Sequence, residues 1–393
     1  MTRSRAALLL VLAAVWAIAA WLLWRTSVPA LHLPHLDEHA LFPGFVLHRA
    51  RRFSEVERLF WLGQTVTQLV VLALFARFGV RWTRESAAGP IGTGMLLGMI
   101  GFALVWTAEL PFAVLEVWWR HRYGLSGSYT QATIGNWFQL GARFVLLCIA
   151  LGIAMGLART IGNRWWWLPA APAFTGLFAL DAFVAPWLLR GGPLRAPYVE
   201  KLERIQHVHV PVRVLGGFSE PNAFSTGLGP SRRVFLTKPI TEGVFTPRLD
   251  RFVLAHELGH LAHNHIWKSI GWYALVAFPL AYLLALAARR RGGMGLPAAV
   301  PLVIFVYVVL QFAALPLRNV VSRHFEAEAD WSALRATRDP AAGRRLFRLF
   351  AGQTLDDPSP PGWDYVFLEN HPTLLQRIEM TQYWKSYAAA QSP

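Results

Sequence analysis

Cysteine is almost absent: Cys148 stands alone among 393 residues, inside an apolar run. The chain can therefore form no internal disulfide and no cysteine-based zinc site. Lysine is scarce as well, only four of 38 basic residues. That bias toward Arg, with abundant Ala, hints at a GC-rich bacterial genome. Acids number 23, which leaves a net charge of +15. Such a charge suggests nucleic acid, but its placement argues against that partner. Arg clusters flank apolar runs: Arg3 and Arg5, Arg77 and Arg81, Arg159 and Arg164, Arg289 to Arg291. Long cationic side chains at such edges reach lipid headgroups, so the expected partner is a bilayer.

Hydrophobic residues make up 54% of the chain and Trp occurs 18 times, as expected of spans with indoles at the membrane–water interface. Seven runs are long enough to read as spans. They cover about residues 6–24, 59–76, 91–118 (interrupted by Glu109 and Pro111), 139–158, 165–189, 269–288 and 298–315. The first reads as an uncleaved span rather than a signal peptide, because it is longer than an h-region needs and carries three Trp. Residues 25–58 read as a polar connection. Between Arg190 and Asn264 the composition turns polar, with short strands expected at Val210–Leu215 and Arg232–Thr237 about a turn at GLGPS. The expected division is 1–189 for five spans, 190–268 for a segment with short strands and the helix that carries HELGH, 269–318 for two further spans, and 319–393 for a helical C-terminal segment. The fold class is mainly α, a polytopic membrane protein with a small α+β region at the membrane surface.

The chemistry concentrates in His256-Glu257-Leu258-Gly259-His260. Residues four apart on a helix share a face, so both imidazoles can reach one metal ion, with the Glu257 carboxylate beside its water. This is the H-E-x-x-H arrangement of zinc peptidases. With 13 His and 15 Glu in 393 residues, about 0.02 matches arise by chance. A catalytic zinc needs three protein ligands and one open position. The strongest candidate for the third is Glu326, just after the seventh span as His260 lies just before the sixth. Asp330, four residues on, can hold the second nitrogen of a zinc His. Glu328 competes with Glu326, but its spacing of two from Asp330 puts those carboxylates on different faces.

HELGH followed by Glu326-Ala-Glu-Ala-Asp330 resembles the type I CAAX prenyl proteases, which are integral-membrane metallopeptidases. RYGLS (Arg122 to Ser126), NAFSTGLGPSRRVFL (Asn222 to Leu236), HELGHLAHNHIWK with His265 and Lys268, and HPTLLQR (His371 to Arg377) are similar to that family's segments. The resemblance implies a seven-helix chamber and one Zn2+ held by His256, His260 and Glu326. It also implies Glu257 as general base, Asn222, Ala223 and Phe224 along a substrate strand, and His371 and Arg377 near the oxyanion. His263 departs from the pattern and reads as structural or solvated, since a fourth ligand would close the site. His32, His35 and His39 have helical spacings but include Pro34, so a solvated loop is expected.

The expected activity is peptide-bond hydrolysis by zinc-activated water on a peptide or protein substrate that is lipidated or membrane-associated. The rival readings are a bacterial quality-control protease of the same chemistry, a transporter, and a catalytically silent scaffold. The expected location is a bacterial inner membrane with the site on the cytoplasmic side, although basic residues on both sides leave the positive-inside rule undecided. Glu109, Glu116 and Asp181 are acids near membrane depth, where pairing with Arg such as Arg143 is the expected role.

Overall fold

The computed structural model describes residues 3–82, 88–125, 129–218, 221–243 and 245–390. All seven apolar runs are helical: Arg3–Trp24, Gly44–Phe78, Gly89–Arg122, Tyr129–Thr160, Trp167–Leu188, His265–Arg289 and Val300–Thr337. Among the described residues, six helices are long and apolar enough to cross a membrane, and the first contributes a shorter apolar stretch, Leu10–Trp24. On the second span Leu59, Leu62, Val66, Val70 and Leu74 recur every three to four residues and are all exposed. Such a stripe is the surface that lipid tails cover. At one end of the bundle the Arg-rich turns meet, with Arg289 Nη2 donating to Arg164 O at 3.3 Å and Arg291 Nη2 to Ala76 O at 3.2 Å. Ser126, the last residue of the RYGLS segment, lies outside the described residues.

Two boundaries differ from those read by hydropathy. Residues 44–58 are not a polar connection but the first turns of the second span's helix. Several of their charges are paired with other segments, so they need not end the helix. Arg58 is bonded to Asp364 and, at 2.7 Å, to Asp357, while Glu57 receives Arg120 at 3.2 Å. The third span is continuous through Glu109 and Pro111. Glu116 accepts from Gln64 at 3.3 Å, Arg143 acts electrostatically on Glu109, and Asp181 is exposed.

A four-stranded sheet lies between the fifth and sixth spans in sequence: β1 (Gly192–Pro193), β2 (Val212–Leu215), β3 (Ala223–Thr226) and β4 (Arg233–Thr237). The order is β1-β2-β4-β3, with β2 and β4 parallel and the other pairs antiparallel. Strand β3 is therefore an edge strand, registered with Phe224 opposite Phe235. Those two rings stack at 5.2 Å.

The helix Pro247–Ala262 carries HELGH and packs against β3 and the long helix Val300–Thr337. Pro247 at its first turn is pre-set for helix entry. The helix stops where Asn264 takes φ 56°, a left-handed conformation that Asn tolerates, and a new helix begins at His265. Its buried face, Phe252, Leu254 and Leu258, shares a core with Trp331, Leu334, Phe347 and Ile378. Gly259 sets how near the two helices come. A Cβ there would lie 3.0 Å from Ser332 Cβ and 3.3 Å from the backbone of Ala329.

Candidate metal centre

The long helix runs past the expected end of the seventh span to Thr337, which carries Glu326 and Asp330 alongside the HELGH helix. His256 Nε2 and His260 Nε2 are 3.1 Å apart. Glu326 Oε2 lies 3.2 Å from the first and Oε1 3.4 Å from the second. Donors bound at about 2.0–2.1 Å to one tetrahedral ion sit about 3.3 Å from one another, so the spacing matches a shared ion. Among the described residues this is the one group of three or more such side chains able to hold a metal, with its ligand atoms all within 4.8 Å. His32, His35 and His39 form no such group. Glu326 Oε2 is buried without a hydrogen-bond partner, the kind of orphan that an ion satisfies.

The ring orientations agree with that fit. Asp330 Oδ1 lies 2.9 Å from His256 Nδ1, so Nδ1–H donates to the carboxylate and Nε2 is left for the cluster. Arg377 in turn grips Asp330 with two bonds of 2.8 Å, from Nε to Oδ2 and from Nη2 to Oδ1. Burial works to lower the His256 pKa, but the hydrogen bonds and charges of Asp330 and Glu326 outweigh it and raise it to about 10. Burial lowers His260 to about 3. The acids around His256 thus favour positive charge between these side chains, which a metal ion would supply.

Glu257 is buried at the same turn. Burial raises its pKa to about 7, and Ser225 on β3 offsets part of this with hydrogen bonds to the carboxylate. Ser225 was not apparent from the sequence; only the fold shows that the strand after Asn222 lies against the HELGH helix. Asn222 is tied to β4 by reciprocal bonds of 2.8 and 3.1 Å with the Thr237 hydroxyl. Ala223 and Phe224 follow in the edge strand.

His371 is half-exposed at the mouth of the cluster, its Nε2 3.3 Å from Glu326 Oε2 and its Nδ1 2.6 Å from Asn370 Oδ1. Its surroundings of apolar atoms push its pKa down, while the Glu326 charge works the other way. The helix after it starts with a reciprocal cap: Gln376 N–H donates to Thr373 Oγ1 at 3.1 Å and Thr373 N–H to Gln376 Oε1 at 3.0 Å. That cap aims Arg377 inward. Arg377 lies behind Asp330, buried, which differs from the oxyanion placement expected for it. Its fork matches a carboxylate, and Asp330 takes both prongs. Glu328 is not in the cluster either. It faces His265 and Lys268 at 3.0 and 3.1 Å, and His263 lies 3.5 Å from its other oxygen, a structural placement for His263.

Residues 201–385 match peptidase family M48. The chain is 24% identical over 366 residues to the uncharacterized metalloprotease YhfN of Bacillus subtilis (strain 168), covering 84% of each protein. It is 27% identical over 220 residues to a protease HtpX homolog of Aquifex aeolicus (strain VF5), covering 50% of this chain and 70% of that protein. The crystal structure of S. mikatae Ste24p superposes with a TM-score of 0.74 at 17% identity, covering 94% of this chain and 97% of the other. Residues 201–385 are therefore similar to peptidase family M48, the chain as a whole is similar to a metalloprotease, and its fold is that of Ste24p, in line with the resemblance to the type I CAAX prenyl proteases.

Proposed function

We propose that the protein is a zinc endopeptidase of the membrane surface, with one ion held by His256, His260 and Glu326. The convergence of two Nε2 atoms and both oxygens of the Glu326 carboxylate at 3.1–3.4 Å, with Oε2 otherwise unpartnered, carries this reading. Bound there, zinc supplies Lewis acidity and brings the pKa of a water toward neutrality. Glu257 takes the proton of the attacking water and passes it to the leaving amine. His371 is on the open side of the cluster; with its Nδ1 hydrogen held by Asn370 Oδ1, it donates from Nε2 to the oxyanion that develops on the scissile carbonyl when the ring is protonated. Arg377 acts one step back, holding Asp330 so that Asp330 fixes the His256 ring. An extended peptide adds as a further strand on the edge of β3, along Asn222, Ala223 and Phe224, so that backbone bonds supply affinity with little sequence demand. The substrate is a peptide or protein that reaches the membrane surface. A lipidated C-terminus and a damaged membrane protein are the two classes to separate. We place the chain in a bacterial inner membrane with the site facing the cytoplasm.

The test compares purified wild type with Glu257→Gln on a prenylated CAAX peptide and on unfolded casein, with and without a chelator. Cleavage by wild type alone, abolished by chelator, supports the mechanism, and the better substrate identifies the class. Equal cleavage by both proteins contradicts the role of Glu257.

A further inference from the structure

Behind His260 runs a chain of polar contacts that the chemistry above does not use. Glu328 is only 1% exposed, yet both its oxygens are crowded with donors. Oε2 accepts from His265 Nε2 at 3.0 Å and Lys268 Nζ at 3.1 Å. Oε1 accepts from the Ser27 N–H at 2.6 Å and from the Thr26 and Ser27 hydroxyls at 2.9 and 3.1 Å. So many donors on one carboxylate require it to act purely as an acceptor.

The rest follows by hydrogen-bond logic. His265 Nε2 carries the hydrogen that it gives to Glu328. A neutral imidazole has one donor and one acceptor nitrogen, so His265 Nδ1 is an acceptor. His260 Nδ1 lies 2.8 Å from it and therefore donates. That leaves His260 Nε2 bare, aimed at His256 Nε2 and Glu326. His265 cannot turn away, because its ring stacks on Phe325 at 4.5 Å with the planes 11° apart.

We propose that Glu328 and His265 are a positioning pair that fixes the tautomer and direction of His260, and that they tie this ligand to the segment following the first helix. The pair is the counterpart, on the second histidine, of Arg377 and Asp330 on the first. The proposal rests on the reading of His260 as a metal ligand. It also gives the segment after the first apolar helix a role at the site: Thr26 and Ser27 sit 302 and 301 residues from Glu328 in sequence and supply three of its hydrogen bonds.

The test measures zinc affinity of the full-length purified protein by competition with a chelating dye, beside the unfolding midpoint of the metal-free protein. His260→Ala is the control for the underlying reading; if it binds zinc like wild type, that reading fails. Given loss in the control, His265→Phe, which keeps a flat ring but no acceptor, is expected to bind zinc about 10- to 100-fold more weakly. His265→Gln, whose amide offers one acceptor and one donor, should recover most of that loss. Wild-type affinity in His265→Phe overturns the proposal, as does an equal loss in His265→Gln or a loss matched by a lower metal-free midpoint. Should His265→Phe fail to fold, Thr26→Val/Ser27→Ala loosens Glu328 from outside. Severalfold weaker zinc binding then supports the pair, and unchanged binding overturns it.

Discussion

Replacing Gly259 by Ala tests how closely the site depends on helix spacing. The added Cβ would meet Ser332 Cβ at 3.0 Å and the Ala329 Cα and O at 3.3 Å. Carbon atoms prefer about 3.5–4.0 Å, so the helices must part by roughly half an ångström or strain. Overpacking of this kind costs about 1–3 kcal/mol. The helical preference of Ala over Gly returns about 1 kcal/mol. The net effect on folding is a loss of about 0–2 kcal/mol. The metal site should suffer more. Its two histidines sit on one helix and Glu326 on the other, and a metal–carboxylate bond of about 2.0–2.2 Å does not stretch by several tenths. Zinc affinity is expected to fall at least tenfold, read by dye competition, while the metal-free unfolding midpoint moves little. Adding Ser332→Gly removes the nearest contact and should restore part of the affinity. Tight zinc binding by Gly259→Ala would refute the claim that this close approach sets the ligand geometry.

Other perturbations have directions fixed by the same structure. Arg377→Met leaves buried Asp330 without its counter-charge and should cost about 3–5 kcal/mol in an unfolding titration, whereas Arg377→Lys keeps the charge and loses the fork, costing less. Glu257 works as a base only when ionised, so cleavage should fall as pH drops through its pKa, which burial raises to about 7. A bound cation favours the ionised form, so the acid limb of kcat/KM should lie between about 4.3 and 7. The Ser225 bonds also favour that form, so Ser225→Ala should move the limb to higher pH; a limb that stays or moves down contradicts the contact.

Much of this was legible in the chain. Apolar runs located all seven long helices, because a bilayer demands continuous hydrophobic length. The four-residue spacing of His256 and His260 required a shared face, and the four-residue spacing of Glu326 and Asp330 did the same on the opposing helix. What hydropathy missed were helices that outrun the membrane. Residues 44–58 are charged but helical, since Arg58 and Glu57 are paired across the fold. The roles of Arg377 and Glu328 also escaped a linear reading. Arg377 is directed by a capping turn onto Asp330 (47 residues away), and Glu328 is surrounded by donors from the segment after the first helix and from the start of the sixth span's helix. Strand β3 carries little alternation of its own and is fixed by pairing with β4.

The central claim is a single ion on three named side chains, and metal stoichiometry tests it most directly. Purified wild type and the His256→Ala, His260→Ala, Glu326→Gln and Glu257→Gln variants would be analysed by elemental mass spectrometry after dialysis against trace zinc. The account expects one zinc per chain in wild type and in Glu257→Gln, and little or none in the other three. Full zinc occupancy in Glu326→Gln, or loss of zinc in Glu257→Gln with the fold intact, would contradict it.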